Sequence, residues 1–226
     1  NRESFCRMMS IHEKLFRDPI HDLIPFDLSL EEDRLLLRVI DTPEVQRLRR
    51  IKQVGMAHMA YQGAEHTRFS HSMGVLHLVR RLLDRLGQLS PVSREWKLAT
   101  MGAALLHDIG HGPYSHDMEK FFREDHEVWS ERLILDEESN VHAALTSYSS
   151  ELPKMVTQVL SGETDPLWLR TLISSQMDAD RFDYLIRDAH MTGVKYGIFD
   201  LERLLKLLRI SADNRHVIVS AKGLLP

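Results

Sequence analysis

The 226-residue chain carries 29 lysines and arginines against 33 aspartates and glutamates, a net charge of -4, and one cysteine, Cys6. That balance excludes a globally cationic surface built for nucleic-acid backbones, and a lone cysteine excludes an internal disulfide framework or a cysteine-rich zinc site. No run approaches the about 18 apolar residues of a membrane span, and Asn1 to Ser10 lacks the cationic head and apolar stretch of a signal peptide, so one cytoplasmic domain over residues 1–226 is expected.

Pro19 and Pro25 interrupt any helix between Leu15 and Phe26, where short extended pieces are predicted. Amphipathic spacing predicts helices over 29–40, 69–87, 117–123, 126–135, 152–161, 177–190 and 200–209. Thr42-Pro43, Ser90-Pro91 and Asp165-Pro166 each set a capping residue before a proline at the first helical position, which predicts three more helix starts. A β-favouring run, His216-Val-Ile-Val219, predicts a strand over 215–219. The fold class is therefore all-α with small β additions near both ends.

The chemistry concentrates in Leu105-Leu-His107-Asp108-Ile-Gly-His111-Gly-Pro-Tyr-Ser-His116. An imidazole and a carboxylate side by side at the end of an apolar helix suit a divalent cation, which takes about four protein ligands and keeps roughly two positions for water and substrate. The other His-Asp pairs lack this setting: His21-Asp22 sits among turn residues and His116-Asp117 follows a Gly-Pro break. His71 opens the helix predicted over 69–87, and Asp178, Asp180 and Asp183 open the one over 177–190, so histidine, His-Asp pair and acid come from three separate helices. The three aspartates compete for the fourth place; helical spacing aligns Asp180 with Tyr184 and Asp188 in one stripe. There is no Walker-type loop, so side chains must grip any phosphate, with Arg68 the leading candidate. His111, His116 and His126 are candidate proton carriers near pH 7, whereas His58, His66, His77, His142 and His216 read as surface or core histidines.

These motifs resemble the HD superfamily of metal-dependent phosphohydrolases, and within it the deoxynucleoside triphosphate triphosphohydrolases, the sterile-alpha-motif/HD-domain enzymes and their bacterial relatives. The resemblance runs from Asp18-Pro-Ile-His21, through Ile40-Asp41-Thr-Pro-Glu-Val-Gln46-Arg-Leu-Arg49-Arg-Ile-Lys-Gln53, to His190-Met-Thr-Gly193. It implies an HD-domain helical bundle with further helices after Pro226, and a divalent ion (Mn, Fe, Zn, Ni, Co or Mg) held by His71, His107, Asp108 and Asp180. The implied reaction is hydrolysis of a deoxynucleoside triphosphate to deoxynucleoside and inorganic triphosphate by a metal-activated water.

In that scheme His111 meets the α-phosphate and His116 protonates the leaving oxygen. His126 and Glu119 form a supporting pair, although the family's animal enzyme has aspartate at the position of Glu119. Arg68 and Arg181 contact phosphate, the latter where lysine is usual. Gln53 and Asp188 hold the 3′-hydroxyl, and Tyr184 packs on the sugar. Asp41, Gln46 and Arg49 match positions that recognise a guanine nucleotide activator at a subunit boundary, which implies a homo-oligomer. The metal motif also admits a nucleotidase, phosphodiesterase or nuclease, or a catalytically weak binder of nucleotides or nucleic acid.

Overall fold

The computed structural model describes residues 12–220; the leading residues 1–11, Cys6 among them, and the closing residues 221–226 lie outside the described residues. The extended pieces around the two prolines form a ribbon. Strands β1 (Glu13–Asp18) and β2 (Asp22–Asp27) pair antiparallel with Leu15 opposite Pro25. A two-stranded ribbon tolerates a residue without an N–H because each strand has one unpaired edge. Asp18 organises its turn, Oδ1 accepting the Ile20 and His21 N–H groups at 2.9 and 3.0 Å.

Helix α1 (Glu31–Ile40) follows, then a short α2 (Pro43–Gln46) with Pro43 in its first turn. Two 3-10 turns, Arg47–Arg50 and Gly55–Met59, lead to α3 (Arg68–Leu86), whose Thr67 cap accepts the Ser70 N–H. Leu76, Leu78, Val79 and Leu82 are fully buried along α3, so the helix lies inside the bundle. Burial of each such side chain contributes about 1.5–3 kcal/mol, which fixes α3 as the axis around which the other elements pack.

Helix α4 (Arg94–Leu106) packs on α3, and α8 (Leu152–Ser161) packs on α4. The start predicted at Ser90-Pro91 falls three residues later: Ser93 Oγ accepts the Trp96 N–H at 3.2 Å, whereas Ser90 Oγ is bonded to Asn214. Between these helices run α5 (His116–Phe122), α6 (His126–Leu135) and α7 (Asn140–Thr146). Helix α7 was not predicted, since seven residues give barely two turns of periodicity. The start expected at Asp165-Pro166 also moves: the four-residue α9 (Trp168–Thr171) begins two residues after that proline.

Helix α10 (Ala179–Thr192) crosses α3, and Gly193 at φ 79° ends it in the left-handed region that glycine adopts without cost. The two helices approach closely at Gly74, where a Cβ would collide with Asp183 Oδ1 and Arg187 Nη2. The helix expected over 200–209 divides into α11 (Leu201–Leu207) and β3 (Leu208–Ile210), which pairs with β4 (Val217–Val219). The fold is thus all-α with a small two-stranded sheet near each end of the chain. No helix among the described residues is long and apolar enough to cross a membrane.

Candidate metal centre

Three helices deliver the site. Helix α4 ends at Leu106, so the His107 cap and Asp108 leave its C-terminal end; His71 sits one turn into α3, and Asp180 lies in the first turn of α10. The three aspartates that compete in sequence are separated by their partners. Asp178 caps α10, accepting the Arg181 and Ser175 N–H groups, and burial raises its carboxyl to about 6. Asp183 is wholly buried and engaged by Arg187, His21 and His71. Asp180 faces the histidines.

His71 Nε2 stands 2.9 Å from Asp180 Oδ1, 3.3 Å from His107 Nε2 and 3.8 Å from Asp108 Oδ2. His107 Nε2 is 3.5 Å from Asp108 Oδ1 and 3.9 Å from Asp180 Oδ1. Ligand bonds of about 2.1 Å put neighbouring donors about 3.0–3.4 Å apart, so His71, His107 and Asp180 already bring their donor atoms close enough to share one cation, while Asp108, which approaches His71 with Oδ2 and His107 with Oδ1, must turn to join them. The ring tautomers agree. His71 Nδ1 lies 2.7 Å from Asp183 Oδ2 and His107 Nδ1 lies 2.9 Å from the Ala104 carbonyl, so each Nδ1 is the donor and each Nε2 is the nitrogen that would give its lone pair to a metal.

The electrostatics demand positive charge. Burial would lower the His71 imidazole, but its bonds to Asp180 and Asp183 raise it to about 10. Burial would likewise raise Asp108, yet the neighbouring His107 and the Arg68 guanidinium hold its carboxyl well below the usual range. A divalent ion meets the same demand more strongly than a proton, and the imidazole and carboxylate donors fit Mn, Fe, Zn, Ni or Co. The residues present therefore fit the ion.

A cavity of about 600 Å³ opens beside this cluster, lined in part by Gln53, Arg68, Tyr184 and Asp188. His111, His116 and His126 line it as well. Glu119 joins these three: Oε2 is 2.9 Å from His116 Nδ1, while Oε1 lies 2.8 Å from His111 Nδ1 and 2.9 Å from His126 Nδ1. The His111 and His126 rings stack at 3.8 Å and 13°, and the two Oε1 approaches are not hydrogen bonds, so both His111 ring nitrogens lack a hydrogen-bond partner among the described residues. Burial pushes the His111 imidazole down to about 4. Burial would raise Glu119, but the His116 bond and the adjoining histidines hold it below the usual range.

The loop bearing these groups is braced by Ser130 and Arg47. Ser130 Oγ on α6 accepts the Gly110 N–H and donates to the His107 carbonyl, both at 2.9 Å. Arg47 donates to the His111 carbonyl at 2.7 Å and to the Ile109 carbonyl. Tyr114 and Ser115 adopt φ of 62° and 52°, a conformation costly for side-chain-bearing residues and common at functional sites.

Other expected residues are placed differently from one another. Arg68, expected at a phosphate, gives Nη1 to Asp108 at 2.6 Å and Nε to Ser115 at 2.9 Å; it is 3% exposed and thus first of all secures a ligand. Arg181 is exposed, bonds the Ser175 carbonyl, and does not line the cavity. Asp41, Gln46 and Arg49 also lie off the cavity: Gln46 bonds the Ile40 carbonyl and Arg49, and Arg49 covers the Phe69 ring at 3.5 Å.

Sequence reasoning missed the support beneath the ligands. His21 Nε2 meets Asp183 Oδ1 at 2.7 Å, and Arg187, itself buried, links Asp183 to Asp18 in the ribbon turn. His66, read as an ordinary histidine, meets Asp188 at 2.7 Å. The Asp18-Pro-Ile-His21 motif was the available signal for the first arrangement; its distance of over a hundred residues from Asp183 hid the contact.

Comparison with known proteins places the chain in a family. The model of the HD domain matches residues 68–188, which contain all four proposed ligands. The uncharacterized protein YwfO of Bacillus subtilis is 42% identical over 94% of the chain and 47% of its own length. The human deoxynucleoside triphosphate triphosphohydrolase SAMHD1 is 31% identical over 96% of the chain and 40% of its own length. A phosphohydrolase structure from Bacteroides thetaiotaomicron superposes with a TM-score of 0.79 at 33% identity, covering 93% of the chain and 50% of that structure's chain. The chain spans about half the length, or less, of these relatives. The chain belongs to the HD-domain family, and among the phosphohydrolases of that family it resembles SAMHD1.

Proposed function

We propose that this chain carries the catalytic centre of a metal-dependent phosphohydrolase that cleaves deoxynucleoside triphosphates into deoxynucleoside and inorganic triphosphate. The observation that carries the reading is the convergence of His71, His107, Asp108 and Asp180 beside a cavity that Gln53, Tyr184 and Asp188 also line. SAMHD1, by its name, acts on this substrate class, and the match spans nearly the whole chain.

A bound divalent cation supplies Lewis acidity and a water of lowered pKa. The chain's own residues do the rest. Gln53 and Asp188 hold the sugar, Tyr184 packs against it, and Arg68 keeps Asp108 ionised and aimed while presenting positive charge to the cavity wall. The water oxygen bonds to the α-phosphorus and the bond to the 5′-oxygen breaks. His116, exposed at the rim and braced by Glu119, gives that leaving oxygen its proton. His111 donates its one ring N–H toward the α-phosphate, an anion that gives one of its two buried, unpartnered ring nitrogens an acceptor.

The test incubates the purified protein with Mn²⁺ and each deoxynucleoside triphosphate and resolves the products by chromatography. Deoxynucleoside and triphosphate are expected. Nucleoside monophosphate with pyrophosphate, or turnover of monophosphates or nucleic-acid ends instead, contradicts the reading and points to another phosphohydrolase reaction.

A further inference from the structure

His66 touches both polar residues assigned to the sugar. Its Nε2 lies 2.7 Å from Asp188 Oδ1, and its carbonyl accepts the Gln53 N–H at 3.1 Å. The imidazole is buried, with 3% of its side chain exposed, and it does not line the cavity itself. One residue thus fixes the backbone of Gln53 and the carboxylate of Asp188, although the two stand 135 positions apart in sequence.

The hydrogen-bond inventory gives this arrangement a direction. A carboxylate at 2.7 Å makes Nε2 the donor, which leaves Nδ1 an acceptor; that atom is buried and unpartnered among the described residues. Gln53 Oε1 is buried and unpartnered as well. Leaving a buried polar atom unsatisfied costs about 1–3 kcal/mol, and of these two acceptors only Gln53 Oε1 belongs to a residue of the cavity wall, so Gln53 and the Asp188 carboxylate together present acceptors to a donor entering there. Gln53 and Asp188 line the cavity, and a ligand hydroxyl entering there is such a donor.

We infer that His66 is a positioning residue: it holds Asp188 in the orientation that accepts a sugar 3′-hydroxyl, and thereby sets discrimination between nucleotides that carry this group and those that lack it. The inference rests on the nucleotide reading of the cavity. His66 acts through Asp188 and touches no substrate atom. Sites built to bond a hydroxyl reject the analogue without it far more strongly than apolar pockets reject a missing methylene, so the effect belongs in a substrate ratio.

The experiment compares kcat and KM for a deoxynucleoside triphosphate and its 2′,3′-dideoxy analogue in the Mn²⁺-loaded parent, His66→Leu and His66→Gln proteins. The parent prefers the 3′-hydroxyl substrate by about a hundredfold or more. His66→Leu loses most of that preference through a raised KM for the hydroxylated substrate, while His66→Gln, whose side-chain amide restores an N–H donor, retains it. Should the leucine variant not fold, His66→Asn, polar but too short to reach Asp188, is expected to show the same loss. Equal slowing of both substrates, with the ratio intact, overturns the role of His66 alone. A parent protein that hydrolyses no deoxynucleotide overturns the functional reading, and this inference with it.

Discussion

His71 and His107 face each other with their Nε2 atoms 3.3 Å apart, each ring anchored through Nδ1, one by the Asp183 carboxylate and the other by the Ala104 carbonyl. Two inward lone pairs at this distance repel unless positive charge lies between them. The anchors therefore belong to the metal site as much as the ligands do, because they choose the tautomer and aim the ring.

Replacing Asp183 tests that dependence. Asp183→Asn keeps the shape but removes the charge that faces His71, His21 and Arg187. Loss of such outer partners typically costs about 10–100-fold in metal affinity, and a chelator-competition titration is expected to show a weakening in that range. Unchanged affinity contradicts the assigned role.

The ligands and the proton carriers are expected to separate in their effects. His107→Ala and Asp108→Ala lose metal and turnover together. His116→Ala keeps its metal and slows the reaction by roughly a hundred- to ten-thousandfold, as is typical of a lost acid–base group. Metal content and kcat measured on the same preparations check the division, and equal metal loss in all three variants refutes it.

Gly74 gives a packing test of the same site. A methyl group there enters the space of Asp183 Oδ1 and Arg187 Nη2. Overpacking of this kind costs about 1–3 kcal/mol, so Gly74→Ala is expected to lower stability in denaturant titration. It also shifts the anchor of His71 and weakens metal binding, whereas an alanine at the half-buried but unhindered Gly112 position is not expected to do so.

A pH test lies away from the ligands. Burial pushes the His77 imidazole down to about 4, with His21, Arg81 and Arg80 adding to the effect and Asp18 opposing it. Since its folded pKa is below the ordinary 6.5, the unfolded chain binds the proton first. This contribution to stability is complete above pH 6.5 and declines as pH falls toward about 4. Asp178, raised by burial to about 6, contributes the opposite slope in part of that window, so the quantity to measure is the difference between parent and variant. His77→Gln is expected to flatten the acid limb of the unfolding free energy; an unchanged slope contradicts the assignment.

Short-range patterns made the metal ligands legible. His107 and Asp108 follow an apolar helix, His71 opens another, and the 180, 184, 188 stripe singled out one face of α10. Helix α6 fell where its spacing placed it, because periodicity over ten residues suffices. What failed was either too short or too distant. Ser90 and Ser93 are equally good caps on paper, and only the Trp96 N–H chooses between them. The partnership of Asp183 with His21, and of Asp188 with His66, depends on tertiary contacts across 162 and 122 positions, for which no local pattern exists. Arg68 illustrates the same limit: guanidinium chemistry suits phosphate and carboxylate alike, and burial beside Asp108 decides which it meets first.

Elemental analysis of protein purified without added metal tests the central claim most directly. About one equivalent of a divalent transition metal is expected per parent chain, with Asp180→Ala and His71→Ala folded by circular dichroism but depleted of it. A parent chain that holds no divalent metal even after incubation with Mn²⁺, or folded variants that hold as much as the parent, contradicts the shared cation site.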